Sequence, residues 1–129
     1  MEKMNFQDRK FQLWFYQVSH REAIILSPNK DKDNIYDVNI DIYLGDIDYI
    51  EMPQRLQGLQ IECATDADRE YLEQKLDKDI SVEKIVVLVS EGKRYYVVAS
   101  IVKVLKNDLD YGVLPIFAFL ANKGEPEKG

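Results

Sequence analysis

Residues 38–44 alternate between apolar and polar side chains without a break, and this period of two requires an extended strand with one dry face. The apolar positions are Val38, Ile40, Ile42 and Leu44. After Gly45 the parity changes, because Ile47 and Tyr49 become the apolar positions. A two-residue turn at Gly45 and Asp46 explains this change and predicts a hairpin.

The other face of this hairpin carries polar side chains, and we expect it to be solvated and acidic. Its members are Asp37, Asn39, Asp41, Tyr43 and Asp48. The first three are spaced like the start of a calcium loop, but an EF-hand needs Gly at its sixth position and Glu at its twelfth. Ile42 and Asp48 occupy those positions. No metal site is therefore predicted.

Further segments have the apolar and β-branched composition of strands. They span 11–19, 22–27, 59–64, 82–90, 94–105 and 113–121. The last segment also fits a short helix, but we favour an edge strand, which tolerates Pro115. Glu91, Gly92 and Lys93 predict the turn of a second hairpin between two of these strands.

A helix is predicted at residues 65–76. Thr65 can cap its first turn, and Asp66 and Asp68 stand where the helix dipole favours acidic side chains. The fold class is therefore α+β, with a mainly antiparallel, curled sheet of seven or eight strands that resembles a barrel or a sandwich. We expect one domain over residues 1–129, with a loose segment at 1–10 and a frayed tail at 122–129.

Composition limits the compartment and the partners. The net charge of -6 argues against binding to nucleic acid or to anionic membranes. The single cysteine, Cys63, excludes an intramolecular disulfide. No signal peptide is recognised at the start, and the apolar runs are too short to span a bilayer. A cytoplasmic location is therefore expected.

Known catalytic patterns are missing from the sequence. One histidine, His20, and one cysteine cannot supply a four-ligand zinc site without carboxylates. No serine lies in a G-x-S-x-G elbow, and no glycine-rich phosphate loop is present. We therefore assign no catalytic residue, no metal and no cofactor.

Two hypotheses for the function remain. The first is a non-catalytic protein-interaction module that binds a basic protein through the acidic face, as an immunity-like protein would bind a basic toxin. The second is a small-molecule-binding or enzymatic domain with an aromatic cup in the sheet. The cup would comprise Trp14, Tyr16, His20 and Tyr96. With either function, an uncovered edge at 113–121 could pair with a second copy to form a homodimer.

Overall fold

The computed structural model describes residues 3–28 and 38–107, which form six antiparallel strands and one α-helix. The strands are β1 (Met4–Gln17), β2 (Glu22–Ser27), β3 (Asn39–Glu51), β4 (Arg55–Cys63), β5 (Ile85–Ser90) and β6 (Lys93–Asn107). Helix α1 (Asp66–Leu76) connects β4 to β5. The predicted α+β class with a curled antiparallel sheet and one helix is confirmed.

The six strands close into a barrel in the order β1-β2-β3-β6-β5-β4, and β4 pairs back with β1. Closure depends on the length of β1. Its first part, Met4–Gln12, pairs with β4, and its last part, Gln12–Gln17, pairs with β2. A barrel without free ladder edges satisfies the backbone hydrogen bonds of its strands.

Strand β3 is continuous, so the predicted hairpin at Gly45 and Asp46 is wrong. β3 pairs with β6 along its whole length, from Asn39 to Glu51. Asp46 has a left-handed backbone with φ 54°, and the ladder register shifts between Ile47 and Tyr49. A β-bulge changes side-chain parity as a short turn does. Residues 3–28 and 38–107 therefore contain six strands, fewer than predicted, and the 113–121 segment lies outside these ranges.

Two apolar layers hold the fold together. The barrel interior contains Phe11, Ile25, Ile42, Leu44, Ile61, Leu88 and Val97, among others. The second layer lies outside the barrel, where Leu72 of α1 packs against Val87 of β5 and Val98 of β6. Neighbouring strand residues alternate between these layers. This explains why β5 reads as a continuous apolar run.

The residues from Met4 onward belong to the barrel, contrary to the expectation of a loose segment at 1–10. Met4 begins β1, and residues 7–9 form an irregularity opposite Gly58 of β4. Arg9 is buried there, and its guanidinium donates to the carbonyls of Pro28 and Val38 at 3.0 and 2.7 Å. The start of β1 is therefore tied to both sides of the 29–37 segment. The tail predicted at 122–129 lies beyond the described ranges.

Candidate functional site

The face of β3 predicted to be solvated is buried. Asn39, Asp41 and Tyr43 expose 0%, 3% and 2% of their surface. The Tyr43 hydroxyl donates a 2.6 Å hydrogen bond to the Glu22 carboxylate on β2, and burial raises the pKa of the Tyr43 phenol. These three residues cannot contact a partner in this fold. Asp37, which was also predicted to belong to this face, lies outside the described residues.

The burial of this face has a structural reason. Ile24, Leu26 and Tyr43 form an apolar cluster on the outer side of β2 and β3, with Phe15 packed against it. Every residue of β2 is buried. The outer side of these strands is therefore a packed layer, and the polar residues of β3 lie within it. Alternation in the sequence identifies the inward face but does not show whether the other face is exposed.

Asp48, by contrast, lies at the surface beside two cations. Its carboxylate is 3.0 Å from Arg21 and 3.7 Å from Lys78. Arg21 also contacts Asp46 at 2.5 Å and donates from Nε to the Ile47 carbonyl at 3.0 Å. The two acids and two cations cancel in formal charge. Asp48 therefore joins the β1–β2 turn to the bulge of β3 instead of forming an isolated acidic patch.

The predicted aromatic cup is only partly assembled. Trp14 and Tyr16, at the end of β1, expose 39% and 43% of their surface. His20 is exposed in the short 3-10 helix that follows β1. Tyr96 lies elsewhere, buried beneath α1, where its hydroxyl donates to Asp68 at 2.7 Å. Tyr96 is therefore not part of a site with the other three residues.

Trp14, Tyr16 and Val18 form an exposed apolar group, which we call the β1 strip. Val18 exposes 75% of its surface. Trp14 is skipped in the β1–β2 ladder, which passes from Leu13 to Phe15, so a bulge turns the strip away from the packed side of Phe15. The β1–β4 ladder ends at Gln12, and the strip extends past the start of β4.

Asp68 organises a buried polar network at the start of α1. Its carboxylate accepts hydrogen bonds from Arg94 at 3.0 and 2.6 Å and from Tyr96, and it forms a capping box with Thr65. Burial alone raises the pKa of Asp68, but the bonds from Arg94, Thr65 and Tyr96 outweigh it and lower the pKa to about 2. Arg94 also reaches Glu62 at 3.3 Å. The network fastens the helix to β6.

A second polar cluster joins the middle of α1 to the end of β3. Glu51 accepts hydrogen bonds from Tyr49 at 2.5 Å, from Tyr71 at 3.0 Å and from Lys75 at 3.1 Å. Burial favours a higher pKa for Glu51, but these three donors lower the pKa overall. The bonds to Tyr71 and Glu51 raise the pKa of Lys75. The cluster holds its own charges together and positions the helix.

Sequence reasoning identified Asp68 as a first-turn acid but missed its role in the core. The spacing of Thr65 and Asp68 is that of a capping box, which is a local signal. Arg94 and Tyr96 lie 26 and 28 residues further along the chain. No local pattern links them to Asp68, so their contact depends on the barrel topology. Arg9 was missed for the same reason.

Comparison with protein-family models, curated proteins and solved structures finds no match for this chain. Within residues 3–28 and 38–107, no three His, Cys, Asp or Glu side chains are grouped so that they could hold a metal ion. In the same residues, no helix has the length and apolar character needed to cross a membrane.

Proposed function

We propose that the protein is a non-catalytic interaction module that contacts a partner protein through the β1 strip. The observation that carries this proposal is the exposure of Trp14 and Tyr16 at the end of β1 and of Val18 in the 3-10 turn that follows. Protein interfaces are enriched in Trp and Tyr, and grouped apolar surface on a soluble domain often marks a contact site.

The strip is distinct from the other exposed apolar residues. Six large hydrophobic side chains in the described ranges are exposed, and three of them form the strip. The others, Tyr71, Val82 and Ile101, lie on α1, on the turn before β5 and on β6. Tyr71 is engaged with Glu51 and Lys75. In the described ranges, the side chains of Tyr16 and Val18 make no hydrogen bond, so the strip concentrates apolar surface that is not engaged in polar contacts there.

Charge favours a basic partner. The group of charged residues at the β1–β2 turn, beside the strip, is formally neutral, because Asp46 and Asp48 are balanced by Arg21 and Lys78. The whole chain carries a net charge of -6, which accelerates encounter with a cationic protein. We therefore expect apolar contact at the strip to supply the affinity and long-range attraction to supply the rate. A small basic toxin, as in the immunity-like hypothesis, has the required charge.

The experiment compares Val18→Asp with Val82→Asp. Both residues are exposed valines in single 3-10 turns, but Val82 lies on the side of the barrel that carries α1. Tagged wild-type and variant proteins are used to recover partners from native cells, and the partner is then titrated by calorimetry at two salt concentrations. We expect Val18→Asp to weaken binding at least tenfold, by more than about 1.4 kcal/mol, while Val82→Asp leaves it unchanged.

The results of this experiment distinguish a basic partner, a second copy of the chain and a strip without a binding role. A basic protein whose binding is lost with Val18→Asp and is weaker at the higher salt concentration supports the proposal. Recovery of the same proteins with equal affinity by wild type and Val18→Asp overturns it. Sedimentation of the purified chain tests a second copy as the partner. A dimer abolished by Val18→Asp would retain the strip as an interface but overturn the basic partner.

A further inference from the structure

A surface hollow of about 390 Å³ lies across the middle of β1, the end of β2 and the start of β4. Lys10 and Gln12 line it from β1, Leu26 and Pro28 from the end of β2, and Arg55 from β4. The hollow contains none of the residues of the β1 strip. It therefore constitutes a separate candidate site, and the inference drawn from it does not depend on the proposed interaction surface.

Strand register explains how two cations come together in the hollow. Phe11 and Leu56 are paired and point into the barrel core, so the residues on either side of them point outward. Lys10 pairs with Gln57, and Gln12 pairs with Arg55. Lys10 and Arg55 are therefore diagonal neighbours on one face, with Cα atoms about 7–8 Å apart.

Arg55 differs from the other arginines of the protein. Arg9, Arg21, Arg69 and Arg94 each form ion pairs or hydrogen bonds with the protein itself. The Arg55 side chain is exposed and makes no hydrogen bond or ion pair with any residue in the described ranges. Its guanidinium therefore has its donors available to a ligand, and a guanidinium matches the geometry of a carboxylate or a phosphate.

The lining also sets the size of the charge that the hollow can accept. Arg55 contributes a guanidinium that forms no ion pair in the described ranges, Lys10 already interacts with another residue, and Glu91 lies at the edge. Leu26 and Pro28 provide an apolar wall. A single guanidinium available to a ligand, in a chain of net charge -6, disfavours polyanions. The complement is a small molecule with an apolar body and a single anionic group.

We propose that this hollow binds a small organic anion, with its carboxylate or phosphate ester held by Arg55 beside Lys10 and its apolar body against Leu26 and Pro28. Gln12 and Gln57 flank the two cations and can hydrogen-bond the same group. Carboxylates and phosphate esters share this recognition chemistry. A comparison of 2-naphthoate with 2-naphthyl phosphate distinguishes them.

The test is an NMR titration of the ¹⁵N-labelled protein with 2-naphthoate, 2-naphthyl phosphate and the neutral 2-naphthamide. We expect saturable shifts of the backbone amides of residues 10–12 and 55–57 with at least one anion. Arg55→Gln should weaken that binding about tenfold, because it removes a charge-assisted hydrogen bond. Lys84→Gln, which removes an exposed cation from the turn before β5, should have no effect.

The outcomes are distinct from those of the interaction test. Stronger binding of naphthoate identifies a carboxylate ligand, and stronger binding of the phosphate identifies a phosphate ester. The proposal is overturned when neither anion shifts these amides, when naphthamide binds as tightly as the anions, or when Arg55→Gln binds as well as wild type. The spectrum of the free variant verifies that its fold is intact.

Discussion

Two glycines show how strongly the consequence of a single residue depends on its surroundings. Gly58 and Gly92 both have positive φ, 71° and 76°, which side chains with a Cβ rarely adopt. A Cβ on Gly58 would lie 2.7 Å from the Gln7 carbonyl oxygen, whereas a Cβ on Gly92 would meet nothing within 4 Å. Gly58 therefore permits the close approach of β1 and β4 that closes the barrel.

We predict that Gly58→Ala destabilises the protein more than Gly92→Ala does. Gly92→Ala should cost about 1–2 kcal/mol, because only the left-handed backbone is penalised. Gly58→Ala adds a clash with main chain that cannot rotate away, so its cost should exceed that of Gly92→Ala by at least about 1 kcal/mol. Urea unfolding of both variants measures the difference, and equal midpoints would contradict this account of the barrel seam.

At the same scale, the sequence allowed some residues to be placed but not others. The inward positions of Ile40, Ile42 and Leu44 follow from alternation, and the structure puts all three in the core. The burial of Asp41 and Tyr43 could not be predicted, because it depends on how β2 and Phe15 pack on the same side. Alternation in a strand shows which of its faces is apolar, but it does not show whether other residues cover the opposite face.

At the scale of elements, helix α1 is attached to the barrel by both apolar and polar contacts. Leu72 packs on β5 and β6, and Asp68 is held by Arg94 and Tyr96 of β6. A buried carboxylate in this arrangement favours one orientation of the helix, because its two oxygens must meet a planar guanidinium. The polar network therefore fixes the position of α1 along β6, which the apolar contact alone would not determine.

We predict that Asp68→Asn lowers the free energy of unfolding by about 2–3 kcal/mol near neutral pH. Asparagine cannot accept both bonds from Arg94 as a carboxylate does, and it leaves that guanidinium without a counter-charge. Asp66→Asn is the matched control, because Asp66 is an exposed acid two residues earlier in the same helical turn. Urea unfolding should show a small change for the control. A comparable loss in both variants would indicate a general dipole effect.

Helix α1 was predictable because its signals are local. Thr65 caps it, acidic residues occupy its first turn, and its observed bounds agree with the predicted range. The prediction of a hairpin within β3 was wrong because a bulge and a turn both change the face on which the following apolar side chains lie. Only the partner of the strand distinguishes them. β3 pairs with β6, and the paired residues lie between 45 (Glu51 and Tyr96) and 68 (Asn39 and Asn107) positions apart in the chain, so the pairing leaves no local sequence signal.

At the scale of the whole molecule, distant contacts close the barrel and attach the helix. Arg9 reaches across to residues 27, 28 and 38, and Arg94 reaches Asp68. Composition correctly indicated a curled antiparallel sheet with one helix, because strand-forming segments dominate the chain. Closure itself depends on the pairing of β1 with β4, which joins segments about 50 residues apart. The candidate hollow and the β1 strip arise from that closure.

The acid response of the fold should depend on Asp68. Its pKa is about 2 in the folded protein and 3.8 as the ordinary value, so the folded state binds this proton less readily than the unfolded chain does. The carboxylate therefore contributes about 2 kcal/mol of stability above pH 4, and this contribution disappears as the pH falls from about 4 to about 2. Glu51 acts in the same direction, because its pKa is also lowered.

We predict that wild type and Asp68→Asn differ in stability by a constant amount between about pH 5 and pH 7, and that the difference shrinks below about pH 4. In that lower range the protonated Asp68 loses its charge and resembles asparagine. Urea unfolding of both proteins at a series of pH values measures the difference directly. A difference that persists undiminished to about pH 2 would show that Asp68 acts through its shape rather than its charge. The helix would then be held to the barrel by packing and neutral hydrogen bonds alone.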